Sequence, residues 1–327
     1  MKRLAKEMPV MGYAQYQHRR IFGKYNPWKL LLLFVLLAIF LFSVVNVVIY
    51  IFDFFHNQNM QTAMVTQHQI STGTKQTELS PKLNAESAEQ TKMLPATQNP
   101  VSTAMVASSY AAAKKNFFQV IGVTQDSLKP FVKQNNDTIG WIRIDPIVDL
   151  PIVYRDNSYY LNHDYYGNKS IYGTIFLDVN HPVRSDSQNL LLHGHNMKDG
   201  SMFGRLTKYL EYKFTRNHYA IQLETRLERF TYFVFAVAVV STDNKKADFL
   251  YYWGHSSFAN ESAFIAYIDE IYDRSIYTRY LDVEYTDTLL TLSTCYDKER
   301  LVVFARRQRE NETQSDVQRA LLGMVEK

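Results

Sequence analysis

One uncharged stretch constrains this chain before anything else does. Residues 30–52 read LLLLFVLLAIFLFSVVNVVIYIF, with only Ser43 and Asn46 strongly polar. As a helix rising 1.5 Å per residue it covers roughly 34 Å, enough to cross the hydrocarbon core of a bilayer with slight tilt. A cleaved secretory leader has a shorter apolar region and a small-residue cleavage site, whereas Asp53-Phe54-Phe55-His56 follows here. The stretch is therefore expected to be a retained transmembrane signal-anchor helix, with Trp28 and Tyr50 suited to the two interfaces. Seven bases (Lys2, Arg3, Lys6, Arg19, Arg20, Lys24, Lys29) stand before it against one acid, Glu7. That excess makes residues 1–29 a basic cytoplasmic tail and places everything after the span outside the cell, in a single-pass membrane protein. Beyond the tail, acids slightly outnumber bases, so no nucleic-acid partner is implied.

The chain then changes character. Residues 56–109 contain no Phe, Tyr or Trp in a protein that is 14% aromatic. Such a segment buries too little apolar surface to offset its ordering entropy, and residues 53–110 are expected to form a flexible extracellular stalk. Aromatics return at Tyr110, Phe117 and Phe118, opening one domain over residues 111–309, with residues 310–327 left as a tail or short helix. After a helical start near residues 127–134, strands are expected at 139–144, 152–154, 172–177, 190–193, 219–223, 230–240 and 281–285, and in a closing hairpin. Many short strands with polar turns suggest a barrel or a sandwich. One helix interrupts them: Phe264, Tyr267, Ile268, Ile271 and Tyr272 fall on one face, with Asp269, Glu270 and Asp273 between.

The closing hairpin, residues 289–307, carries the only cysteine, Cys295. Apolar runs flank a polar turn over residues 295–300, which sets a thiol at one strand's end and the Arg300 guanidinium at the start of the next. A nucleophile opposed to a fixed cation suits acyl transfer. Inert packing is the competing reading for a lone cysteine, but exported proteins pair their structural cysteines, so a single thiol there is unusual. Among nine histidines, His193 and His195 stand out: Leu190-Leu191-Leu192 runs directly into His193-Gly194-His195-Asn196, at the rim where sites collect. His-x-His with Cys295 offers a metal three ligands and no clear fourth. No metal and no organic cofactor are assigned.

Thr291-Leu292-Ser293-Thr294-Cys295, with Arg300 before Leu301-Val302-Val303, resembles the TLxTC signature and catalytic arginine of the sortases. Gly194-His195-Asn196-Met197 with Met202-Phe203-Gly204 is similar to the histidine segment of class B members. So are Gly140-Trp141-Ile142, Asp156-Asn157, Tyr159-Tyr160-Leu161, His163-Asp164 and Gly173-Thr174-Ile175-Phe176-Leu177-Asp178 to other class B segments. The resemblance implies a mainly β fold: an eight-stranded sortase-like barrel with peripheral helices behind one membrane helix. It implies Cys295 as nucleophile, His195 as general acid and base, and Arg300 as carbonyl partner, with Ser293, Thr294 and Asn196 as substrate contacts. Arg306 shares a strand face with Arg300 but lies about 20 Å away, so only one of them sits beside Cys295. The implied reaction cleaves a C-terminal sorting signal of the LPxTG or NPxTN kind at its Thr carbonyl. The acceptor amine would come from a peptidoglycan precursor or a pilin lysine at a Gram-positive cell surface. An exported cysteine hydrolase on the same fold and a non-catalytic surface adaptor remain as alternatives.

Overall fold

The computed structural model describes residues 27–78, 125–182 and 187–327. The expected basic tail lies almost wholly outside these residues. Helix α1 (Pro27–Glu78) contains the apolar stretch. By length and composition it is able to cross a membrane, and Leu31 to Phe52 stay largely exposed along it. The chain divides into two compact units, residues 1–58 and 59–327, and the second is described below.

The expected stalk is corrected over its first half, because α1 continues to Glu78. Met60, Met64 and His68, spaced four residues apart, fall on one helical face, and all three are buried. They pack in one cluster with Phe131 and Trp141. The His68 ring stacks on Trp141 with centroids 4.0 Å apart, and its Nε2 bonds Glu224 Oε2 at 3.0 Å. Lack of aromatic residues misleads at this point, because flexible methionines fill gaps that the domain's own rings leave. Residues 79–110 lie outside the described residues.

A short helix, α2 (Lys129–Gln134), precedes strands β1 (Thr138–Ile144), β2 (Val148–Val153), β3 (Phe176–Leu177), β4 (Asn189–His193), β5 (Ala220–Thr225), β6 (Arg229–Val240), β7 (Leu289–Tyr296) and β8 (Glu299–Arg307). They close into a barrel in the order β1-β2-β3-β4-β7-β8-β6-β5. Closure removes the sheet edges that would otherwise invite aggregation. Two neighbouring pairs are parallel, β2 with β3 and β4 with β7, and the rest are antiparallel. Between β6 and β7 runs α4 (Glu261–Arg274), after the short α3 (Tyr212–Asn217) ahead of β5. The Asn260 side chain caps α4 by accepting from Ala263 N–H, and its five expected apolar residues are buried. A capping box of Thr313 and Asp316 starts α5 (Gln314–Ala320) in the tail.

Two expected strands change. The span 172–177 shortens to Phe176–Leu177, and residues 281–285 form no strand at all. Side chains take over the hydrogen bonds that a ladder would have made there. Tyr272 Oη donates to Leu281 O, and Arg306 Nε donates to Asp282 O at 2.7 Å. Buried Arg306 also holds Glu312 through both terminal nitrogens, at 2.8 and 2.6 Å, so this segment is fastened to the end of β8 rather than to a neighbouring strand.

Candidate active site

Register builds the site. Across the antiparallel β7 and β8 pair, Cys295 is opposite Arg300 and Tyr296 opposite Glu299. The expected turn over residues 295–300 therefore tightens to a two-residue loop, Asp297-Lys298. Asp297 takes φ of 50°, a left-handed conformation that Asp tolerates better than most residues. Thiol and guanidinium become direct cross-strand neighbours, and Arg300 Nη1 donates to Cys295 Sγ at 2.7 Å.

On its other side β7 runs parallel to β4, with His193 level with Ser293. β4 ends there, but the pairing is carried on by other bonds. Gly194 N–H donates to Ser293 O at 3.3 Å, Thr294 Oγ1 to Gly194 O at 2.7 Å, and Asn196 Nδ2 to Cys295 O at 2.7 Å. The histidine loop is thus laced to the cysteine strand step by step, and His195 lines the same cavity as Cys295. Gly194 is required for this approach: a β-carbon there would meet the Phe203 ring at 2.8 Å. Gly173, at φ +61°, backs His195, since a β-carbon would lie 3.1 Å from His195 Cδ2.

Side chains alternate along a strand, so Ser293 and Cys295 share one face, and His193 and His195 continue that face on the neighbouring strand and its loop. All four, with Arg300, Leu161, Tyr252 and Trp253, line one cavity of about 530 Å³. His195 Nε2 is 2.6 Å from Leu161 O. A carbonyl oxygen only accepts, so Nε2 carries the hydrogen and Nδ1 is left for proton transfer.

The remaining expected contacts divide. Ser293 faces the cavity, with its hydroxyl bonded to Tyr252 Oη at 2.8 Å. Thr294 does not line it: buried on the opposite face, it is committed to Gly194 O. The Asn196 amide is committed to Cys295 O. Through these bonds both hold the loop and strand together. Arg306 stands at the far end of the ladder, opposite Leu289.

Sequence reasoning placed Asp178 in a class B-like segment but gave it no role. Its Oδ2 takes His193 Nε2 at 3.1 Å and Asn157 Nδ2 at 2.9 Å, its Oδ1 takes Asn180 N–H at 2.7 Å, and His181 Nδ1 sits 3.5 Å from Oδ1. Burial alone would raise this carboxyl. His181, His193 and the amides of Asn180 and Asn157 outweigh it and hold Asp178 well below the usual carboxylate range. Burial chiefly pushes Tyr252 up, with the Cys295 and Asp178 charges adding to it and Ser293 and Arg300 opposing.

The family model described as the sortase domain matches residues 143–308, half of the chain. Sortase B of Listeria monocytogenes is 36% identical over 191 residues, covering 56% of this chain and 75% of that protein. Sortase B of Staphylococcus aureus is 26% identical over 210 residues, covering 61% and 83%. Among solved structures, sortase B from B. anthracis in complex with AAEK2 superposes with a TM-score of 0.52 at 30% identity, over 65% of this chain and 100% of that one. A match that runs from β1 to the end of β8, over a barrel that sets one thiol against one arginine, leaves a single conclusion: the chain belongs to the sortase family, as a class B cysteine transpeptidase.

Proposed function

We propose that Cys295, His195 and Arg300 act together on a C-terminal sorting signal of the LPxTG or NPxTN kind. The observation that carries this reading is the Arg300 donor held 2.7 Å from Sγ, in a cavity that His195 also lines. The Cys295 sulfur attacks the Thr carbonyl carbon, and the guanidinium beside it is in place for the oxygen on which charge develops. His195 Nδ1 takes the thiol proton as the sulfur attacks and gives it to the leaving amine as the C–N bond breaks, which leaves a thioacyl-enzyme. An amine of a peptidoglycan precursor or a pilin lysine then loses its proton to the same nitrogen, forms the new amide and expels the thiolate. Asn196 and Thr294 keep loop and strand in register while this happens.

The apolar part of α1 anchors the enzyme in the membrane. Basic residues ahead of it keep the N-terminus in the cytoplasm, so the barrel works outside, where sorting signals and acceptor amines meet. Mixing the full chain in detergent with fluorescent signal peptides and an added amine tests the reading. The wild type is expected to yield the amine adduct and Cys295→Ala none; cleavage without any adduct would identify a hydrolase instead.

A further inference from the structure

The cavity holds a second histidine whose geometry differs from that of His195. His193 lies two residues earlier on the same face, so its α-carbon is about 7 Å from that of His195, one pleat deeper. It is level with Ser293, not with Cys295. His193 is thus displaced from the atoms that exchange protons, yet its ring lines the same cavity with 24% of the side chain exposed.

Its orientation is fixed. Phe176 packs against the ring with centroids 5.3 Å apart, and Nε2 meets Asp178 Oδ2 at 3.1 Å. An ionised carboxylate only accepts, so Nε2 carries the hydrogen, and in the neutral ring Nδ1 presents a lone pair. Among the described residues no side chain or backbone group donates to that nitrogen. Several neighbouring polar groups are engaged with one another. Asn157 gives Nδ2 to Asp178 and takes Val179 N–H on Oδ1, while Ser293 and Tyr252 bond each other. The floor therefore offers a fixed acceptor and holds it in one tautomer through a buried carboxylate.

We propose that His193 is a specificity-determining residue, whose Nδ1 accepts a hydrogen bond from a carboxamide or hydroxyl side chain of the sorting signal. The inference rests on the reading of this cavity as the acyl-transfer site. A signal with an apolar side chain at that place would cover the acceptor and leave it unsatisfied, and such a loss is larger than the gain from the bond itself. Asp178 acts through His193 as a positioning residue. It prevents the ring from flipping to the tautomer that would present a donor.

The test compares signal peptides in which each residue before the Thr is in turn Gln or its near-isostere Met, using amine transfer by the full chain in detergent. Wild type is expected to favour Gln by about tenfold in kcat/KM at one position. His193→Gln keeps a donor toward Asp178 but removes the cavity acceptor, and should shrink that ratio to within about twofold. His193→Asn, with an oxygen close to the Nδ1 position, should restore part of it. Melting curves and the rate of Cys295 alkylation establish that each variant is folded with an accessible thiol. An unchanged ratio in His193→Gln overturns the proposal, as does equal loss of turnover on both peptides, which would place His193 in the chemistry itself. So does a wild type that transfers all peptides without preferring Gln anywhere. A wild type that forms no amine adduct with any peptide strikes instead at the transpeptidation reading.

Discussion

The two ends of the β7 and β8 ladder carry the same residue type on the same strand face, six residues apart, and use it in opposite ways. Arg300 lies opposite Cys295, meets no carboxylate among the described residues, and points its Nη1 at sulfur. Arg306 lies opposite Leu289, is fully buried, and is closed in by Glu312, Asp282 and Asp287. Strand position gives each arginine its direction, and the segments beyond the strand decide the rest. At one end the loop is only Asp297-Lys298 and leaves the guanidinium beside the thiol. At the other, residues 281–287 and the run into α5 wrap it in acids. The cation proposed for chemistry is thus kept without a paired carboxylate among the described residues, while its counterpart at the other end is surrounded by acids.

The comparison is open to breaking at several points. Arg306→Ala should have the largest effect on the fold, about 3 to 5 kcal/mol lost in denaturant melts, because it leaves the largely buried Glu312 carboxylate without its partner and empties a fully buried site. A variant that melts like wild type would reduce Arg306 to a surface-type charge. Arg300→Ala should leave the melting curve nearly unchanged and lower kcat by about 10²- to 10³-fold, the usual cost of removing one donor from an oxyanion site. Arg300→Lys restores charge but not the planar fork, so recovery is expected to be partial in single-turnover acylation assays. Next in size, Asn196→Ala should slow acylation by about 3- to 10-fold with KM unchanged, since it releases one neutral hydrogen bond between loop and strand. A rise in KM alone would return Asn196 to contact with substrate.

The smallest effect belongs to acid. Burial raises Asp282, and the hydrogen bond and charge of Arg309, with the charge of Arg306, outweigh this and lower it. A carboxylate lowered by folding lends stability that is present above its unfolded value of about 3.9 and is lost as pH falls through the folded value. Asp282→Asn should therefore melt below wild type at neutral pH, and the gap should close as pH drops under about 4. A gap independent of pH would mean that Asp282 contributes shape rather than charge.

How far the sequence carried depended on whether partners were close along the chain. The thiol, the arginine five residues later and their hairpin were legible because turn and strands are local, as was the stripe of α4. Distance along the strand, six residues beyond Arg300, kept Arg306 away from the thiol. The role of Asp178 was missed because its pairing with His193 exists only once β3 and β4 align Phe176 with His193. Residues 281–285 carried a strand's composition, but their hydrogen bonds went to Tyr272 and Arg306, contacts that no periodicity reveals. The helical end of α1 was missed for a related reason: what orders Met60, Met64 and His68 is the ring of Trp141, far along the chain.

The parallel pairing of β4 with β7 has a further consequence, in time rather than space. It joins residue 189 to 289 and residue 193 to 293, so a hundred residues must be in place before the histidine loop has a strand to lie against. Pairings of such long sequence separation form slowly and late. A chain made from its N-terminus delivers β7 and β8 after every other strand of the barrel, and until then its histidine has no thiol and its thiol no arginine. Histidine, thiol and arginine are therefore brought together only by the strands of the barrel that are made after all the others.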